Sequence, residues 1–137
     1  MICDNFKTFP QGGKLIGLDW GEKRIGVAIS DPQRKFAFAR PHAKNISEVA
    51  AIISDERPAG VILGLPLRTN GEESETTKRV RLFALKLADE IDVPIMLFDE
   101  SLTSFEAAER ILDAGKDLDS ESARVLLENA IAFMNRK

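Results

Sequence analysis

The first half of the chain alternates short apolar segments with polar turns, a pattern typical of strands that follow one another closely. The three predicted strands cover residues 14–19, 24–30 and about 35–40. Because only short turns join these strands, we expect them to pair antiparallel, and we expect Pro41 to end the third one. Ser47 is a suitable N-cap for a helix over about 48–57, which Pro58 ends.

The second half of the chain alternates strands with helices. Residues 60–65, Gly-Val-Ile-Leu-Gly-Leu, form a continuous apolar run, which is the pattern of a strand buried on both faces of a parallel sheet. The elements predicted after it are a helix over about 74–91, a strand from Val93 to Phe98, a helix that opens with a capping box from Thr103 to Glu106, and a final helix from about Asp119. This order predicts an α/β fold, with three antiparallel strands and then two parallel strands in one mixed sheet flanked by helices.

Length and composition fit one folded domain. The chain has 137 residues, and we expect a single domain over residues 14–137 behind an N-terminal extension at residues 1–13. The apolar runs are too short to cross a bilayer and the first residues do not resemble a signal peptide, so we expect a cytoplasmic protein without a membrane partner. The single cysteine, Cys3, excludes a disulfide within the chain and a cysteine metal cluster.

The range of catalytic side chains is narrow. The chain has one histidine, His42, and no tyrosine, which excludes a histidine-rich zinc site. His42 follows Pro41 in a segment with the pattern of a loop, where we expect it to be exposed and inert. The remaining candidate ligands are carboxylate oxygens, which suit Mg²⁺ or Mn²⁺.

The charge balance gives little support to a nucleic-acid partner by itself. The formal net charge is −3, although a binding surface needs only local positive charge. The cations cluster at residues 23–24, 34–35 and 78–81. Each cluster is either a set of phosphate contacts or ordinary solvated surface.

A carboxylate at a tight turn is the most informative local feature. The first predicted strand runs to Asp19, the chain turns at Gly21, and Lys23 and Arg24 precede the second strand. Gly21 leaves room for an anion or for another segment of backbone. Phosphate, a divalent metal and a carboxylate form the simplest consistent set here, and a hairpin with a polar turn is the alternative.

Further carboxylates stand where the fold would bring them close to Asp19. Asp99 and Glu100 end the last predicted strand, and ligands of α/β sheets bind beyond the carboxyl ends of the strands. Asp119 continues the buried stripe of the final helix, although an N-cap would explain it equally well. Several inward carboxylates at one edge repel one another unless a cation lies between them. A divalent metal in this position suits phosphodiester hydrolysis.

Five segments resemble, in order, the motifs of the YqgF/RuvX family, the Holliday junction resolvase-like family of the ribonuclease H-like superfamily. They are GLDWGEKRIGVAISD at 17–31, VILGLPLRTNG at 61–71, TTKRVRLFALKLADE at 76–90, FDESLTS at 98–104 and DSESARVLLENAIAF at 119–133. The resemblance covers about residues 14–134. It implies a ribonuclease H-like fold with a five-stranded mixed sheet, and a cytoplasmic nuclease that trims the 5′ end of the 16S rRNA precursor in ribosome biogenesis.

The resemblance also implies the residues of the site. Carried over position by position, the catalytic and metal-binding carboxylates fall on Asp19, Glu100 and Asp119, with Mg²⁺ or Mn²⁺ as the cofactor. Asp99 is the weaker candidate, because neighbours on a strand face opposite sides. The residues expected to bind substrate are Gly21, Lys23, Arg24 and Arg68. The implied partner is nucleic acid, either pre-16S rRNA or branched DNA, bound by a monomer or a homodimer.

Two other functions stay open at this point. Ser101 stands where the family usually has arginine, and residues 116–118 form only a short basic segment before Asp119, which favours a catalytically weak or inactive nucleic-acid or ribosome-binding protein on the same fold. An actin-like ATPase also has an Asp-x-Gly turn between strands. That class needs two such domains around a cleft, more than 137 residues supply.

Overall fold

Six strands and three helices make up the part of the chain that the computed structural model describes, residues 1–3, 5–68, 70–99 and 118–135. The strands are β1 (Ile2–Cys3), β2 (Leu15–Trp20), β3 (Ile25–Ser30), β4 (Ala37–Ala43), β5 (Gly60–Leu65) and β6 (Ile95–Asp99). The helices are α1 (Ile46–Glu56), α2 (Glu75–Glu90) and α3 (Leu118–Met134). The helix predicted to open at Thr103 lies outside the described residues.

The strands form one mixed sheet in the order β1-β6-β5-β2-β3-β4. Strands β1, β6, β5 and β2 run parallel, whereas β3 and β4 are antiparallel to their neighbours. The predicted α/β architecture is therefore confirmed, with one strand more than the five expected. The extra strand, β1, is only two residues long, so it has no periodicity that a sequence pattern could reveal.

The third predicted strand does not end at Pro41. Strand β4 continues through Pro41 and His42 to Ala43, so the histidine lies in a strand and is half-buried. The pairing with β3 is interrupted by a bulge between the pairs Val27–Arg40 and Ile25–Ala43. Proline is tolerated at a bulge on an edge strand, because its missing N–H costs no regular ladder bond there.

The helix starts differ slightly from the predictions. Asn45, and not Ser47, caps α1, and its Oδ1 accepts a hydrogen bond from the Glu48 amide at 3.0 Å. Helix α2 begins after Ser74, which forms a reciprocal capping box with Thr77. Because asparagine and serine are both favoured N-caps, the residue types alone do not decide between Asn45 and Ser47.

No helix within the described ranges has the length and apolarity that a bilayer crossing requires.

The sheet separates two hydrophobic layers. Helices α1 and α2 cover the face that includes Ile16, Leu18 and Leu63, whereas α3 covers the opposite face, which includes Leu15 and Ile62. All six residues of β5 are buried, as the continuous apolar run predicted. The face on which a strand residue lies can therefore be read from its position in the alternation.

Residues before β2 also contribute to the core. Phe9 is 2% exposed and packs with the α3 layer. The Arg34 guanidinium holds this segment by donating to the carbonyl oxygens of Gly13, Pro10 and Gly12 at 2.7, 2.9 and 2.8 Å. Arg34, which belongs to one of the three cation clusters, is thus a structural residue that saturates backbone acceptors.

Candidate active site

The carboxyl ends of three parallel strands meet at one edge of the sheet. Register pairs Leu18 of β2 with Leu63 of β5 and Leu63 with Leu97 of β6, and two residues further along Leu65 pairs with Asp99. Asp19 is the next residue of β2 after Leu18, so it lies at this edge. This is where ligands bind in open α/β sheets.

Asp19 lies on the face covered by α3. Leu15 belongs to the α3 layer, and Gly17 lies directly against this helix: a Cβ atom on Gly17 would be 2.9 Å from Leu127 Cβ and 3.1 Å from the Ala123 carbonyl oxygen. The alternation of side chains places Asp19 on this same face, two residues further along β2. Its side chain is half-buried, which keeps the carboxylate accessible at the edge.

Helix α3 runs antiparallel to β2. Near its start, Ser120 Oγ accepts a hydrogen bond from the Val27 amide at 3.2 Å, and Val27 pairs with Leu18. At its other end, Met134 Sδ lies 3.9 Å from the Arg34 guanidinium, beyond the end of β3. The first turn of α3 therefore lies over the carboxyl end of β2. Because Asp119 belongs to that turn, the fold brings its backbone to the same end of the sheet as Asp19.

The remaining predicted acidic residues have different placements. Glu100 lies outside the described residues, and for Asp119 the backbone alone is described. Asp99 ends β6 and shares a face with Ile95 and Leu97, which pack in the layer under α1 and α2. Within the described residues no three His, Cys, Asp or Glu side chains group as metal ligands. Of the three predicted ligands, only Asp19 has a described side chain.

An ion-pair network holds the first turns of α3. Glu121 is 5% exposed, and both Nε and an Nη of Arg124 donate to its Oε2 at 2.9 and 2.7 Å. Arg124 also donates to Glu128 at 3.0 Å. The pKa of Arg124 is raised, chiefly because its guanidinium hydrogen-bonds to Glu121. Sequence reasoning missed this network, although the i, i+3 and i, i+4 spacings were a readable signal.

The turn after Asp19 brings two segments of backbone together. A Cβ atom on Gly21 would lie 2.8 Å from the Arg24 carbonyl oxygen, so a side chain at this position requires the turn to shift. The sequence allowed two reasons for a glycine here, room for an anion or room for another segment of backbone. The contact with the Arg24 carbonyl supports the second. Lys23 and Arg24 are both exposed, and Glu22 forms an ion pair with Arg79 of α2 that ties the turn to the helix.

Arg68 lies in the loop that follows β5 at the same edge. The loop closes through a bridge between Leu67 and Glu73, and the Arg68 amide donates to the Glu72 carbonyl at 2.9 Å. The Gly71 amide donates back to the Arg68 carbonyl at 2.8 Å, and the side chain of Arg68 is exposed. The backbone of this cation is therefore fixed while its guanidinium faces solvent.

The contact at Gly17 gives a test of how α3 is seated. Gly17→Ala forces Leu127 and the Ala123 carbonyl away from β2, so we expect the free energy of unfolding to fall by about 1–3 kcal/mol. Urea denaturation of the purified proteins measures this change. The control is Gly12→Ala, where a Cβ atom would meet nothing within 4 Å, and which should stay within about 1 kcal/mol of the wild type. Equal stability of the two variants would contradict the close packing of α3 on β2.

Known proteins resemble this chain in sequence and in fold. A model of the RuvX family, described as Holliday junction resolvase, matches residues 13–132. A protein of Maridesulfovibrio salexigens named "Putative pre-16S rRNA nuclease" is 39% identical over 132 residues, which cover 87% of this chain and 98% of that protein. A protein of Oleidesulfovibrio alaskensis with the same name is 35% identical, with 88% of each chain covered.

The structural comparison agrees at the level of the fold. The RuvC structure of Thermus thermophilus in complex with a Holliday junction substrate superposes with a TM-score of 0.66 over 90% of this chain and 97% of that chain, at 14% identity. This likeness shows a shared ribonuclease H-like fold. Because the family model spans nearly the whole chain and the relatives match over almost their full lengths, the chain belongs to the RuvX family.

Proposed function

We propose that this chain is a metal-dependent endonuclease that cleaves phosphodiester bonds of RNA and processes the 5′ end of pre-16S rRNA. The observation that carries the proposal is the position of Asp19: a half-buried carboxylate at the carboxyl edge of the parallel strands, on the face where α3 begins. The names of the relatives support pre-16S rRNA as the substrate.

The donor set fits a hard divalent cation. Asp19 supplies carboxylate oxygens at the edge, Asp119 belongs to the helix turn at the same end, and Glu100 follows directly after β6. These three residues would hold Mg²⁺ or Mn²⁺, which bind oxygen ligands. Such an ion, when bound, supplies a Lewis acid for the scissile phosphate and lowers the pKa of a bound water.

The chain's own residues supply binding and orientation. Lys23 and Arg24 on the turn and Arg68 on the loop after β5 are exposed cations at the same edge, so they can bind phosphates on either side of the cleaved bond. Gly21 lets the turn that carries the first two cations close tightly against the Arg24 carbonyl. The hydrogen bond from the Val27 amide to Ser120 Oγ holds the start of α3 on the sheet, which positions the backbone of Asp119.

The proposed setting follows from this substrate. Ribosomal RNA precursor is present in the bacterial cytoplasm, so we place the protein there, acting as a monomer or a homodimer. Branched DNA is a second candidate substrate, because the family model is described as Holliday junction resolvase.

Removal of metal tests the proposal. We expect the purified protein to cleave an end-labelled RNA that contains the 5′ leader of pre-16S rRNA in Mg²⁺ or Mn²⁺, to stop in excess EDTA, and to recover when metal is restored. Denaturing gels of the labelled RNA measure the rate. As a control, an equal concentration of Ca²⁺ should restore cleavage less well, because Ca²⁺ is larger than Mg²⁺ and adopts looser coordination. Cleavage that persists in EDTA would contradict a metal-dependent site, and binding without any cleavage would favour the inactive RNA-binding alternative.

A further inference from the structure

A concave site opens on the other side of the turn that follows Asp19. It is a pocket of about 480 Å³ between that turn, the start of α1 and the middle of α2. Its size lies within the usual range of small-molecule sites. Trp20 and Gly21 form one wall, so the pocket begins at the residue directly after Asp19.

The inner wall of the pocket is apolar. Trp20 is half-buried and packs with the layer under α1 and α2, on the face of the sheet opposite to Asp19. Ile25, Phe83 and Leu82 extend the wall, and Leu82 is 52% exposed although it is a large aliphatic residue. Apolar surface that faces a pocket and is left open to solvent is typical of a binding site.

The rim of the pocket is positively charged. Lys44 and Lys86 both line it, and neither forms an ion pair within the described part of the chain. Arg79 also lines the pocket, but its charge is matched by Glu22, which is the one carboxylate among the described residues of the lining. The net charge around the pocket is therefore positive, which suits a ligand with an apolar face and an anionic group.

We propose that this pocket binds one unpaired nucleotide of the RNA, with its base against the Trp20 wall and its phosphate near Lys44 and Lys86. The proposal rests on the proposed nuclease function and adds the substrate class: RNA that is single-stranded beside the cleaved bond. Proteins recognise unpaired bases by placing them against aromatic side chains and by neutralising the backbone. The strand would pass from Asp19 to the pocket over the turn that carries Lys23 and Arg24, both of which are exposed.

The chain contains a built-in probe of this pocket. Trp20 is its single tryptophan and the chain has no tyrosine, so indole emission reports on this wall alone. We expect a short single-stranded oligoribonucleotide, titrated in EDTA so that cleavage does not occur, to change the emission saturably. Duplex RNA of the same sequence should change it much less, because its bases are stacked and paired.

Paired substitutions on α2 separate the pocket from the rest of the surface. Leu82→Glu places a carboxylate in the pocket, and we expect it to weaken single-strand binding about tenfold or more. Leu85→Glu makes the same change on the same helix at a position that is 59% exposed and outside the lining, and it should bind like the wild type. Lys86→Ala should reduce the slope of log affinity against log salt concentration by the amount that one phosphate contact contributes, about one. Lys78→Ala, which lies outside the lining, should leave this slope unchanged.

The outcomes distinguish this proposal from the nuclease proposal. Equal RNA binding by Leu82→Glu and Leu85→Glu, with thermal unfolding showing that both are folded, overturns the pocket and leaves cleavage at Asp19 untouched. An equal response to duplex and single-stranded RNA overturns the preference for an unpaired nucleotide. Conversely, a wild type that never cleaves but shows the Leu82-dependent emission change supports the pocket and rejects the nuclease.

Discussion

Asp19→Asn is expected to reduce metal-dependent RNA cleavage by more than about 100-fold, since changes even to residues that only support metal ligands cost 10–100-fold. Asparagine keeps the shape of the side chain and one oxygen acceptor but removes the negative charge at the edge of the sheet. Single-turnover cleavage at saturating protein measures the chemical step. RNA binding in EDTA should persist, because the exposed cations of the turn and of the loop after β5 are unchanged.

Asp99→Asn is the matched control for that experiment. Asp99 ends a neighbouring parallel strand at the same edge, but it lies on the face covered by α1 and α2. We expect this variant to retain activity within about tenfold of the wild type, a smaller loss than that of a metal ligand. Similar losses in both variants, or full activity of Asp19→Asn, would reject Asp19 as the central carboxylate. Unfolding midpoints of all three proteins exclude loss of fold as the cause.

Phe9→Ala is expected to lower the free energy of unfolding by about 3–5 kcal/mol, the usual cost of removing a buried phenylalanine. Phe9 is 2% exposed, and its ring lies where a side chain at position 60 would stand: a Cβ atom on Gly60 would meet the ring at 2.4 Å. Truncation leaves a cavity between β5 and the segment before β2. Urea denaturation followed by far-ultraviolet circular dichroism measures the change.

Phe36→Ala provides the comparison, since Phe36 is 64% exposed and its truncation should change stability by no more than about 0.5 kcal/mol. The pair also tests how the chain is divided. If Phe9→Ala is as stable as Phe36→Ala, residues 1–13 are an extension that the domain does not need. A large loss for Phe9→Ala alone makes them part of its core.

The sequence pattern was sufficient where local signals agreed with the tertiary environment. Strand β5 was predicted with the bounds that the structure shows, because a short uninterrupted apolar run is typical of a strand buried on both faces. Predicting the edge to which Asp19 belongs required only the connection rules for α/β sheets. The expectation that the final helix buries one stripe of residues was also correct, since Ala123, Leu126 and Leu127 of α3 are buried.

The pattern failed where the deciding interaction is distant in sequence. Strand β1 exists because Ile2 and Cys3 pair with β6, more than 90 residues later, which no local pattern can indicate. Arg34 belongs to a cation cluster that the sequence offered as a possible set of phosphate contacts. In the structure its guanidinium donates hydrogen bonds to backbone carbonyls of the segment before β2. The role of Glu100 stays a prediction that the Asp19 experiments test only indirectly.

The two edges of the sheet bear on how copies of this protein can associate. An open strand edge offers unpaired amides and carbonyls to another chain, and proteins avoid this with short strands, bulges and proline. Here one edge strand, β1, is only two residues long. The other edge strand, β4, carries a bulge beside Pro41, which has no N–H to donate. Growth of the sheet from copy to copy is therefore disfavoured at both edges, and a homodimer would be built through helices or loops.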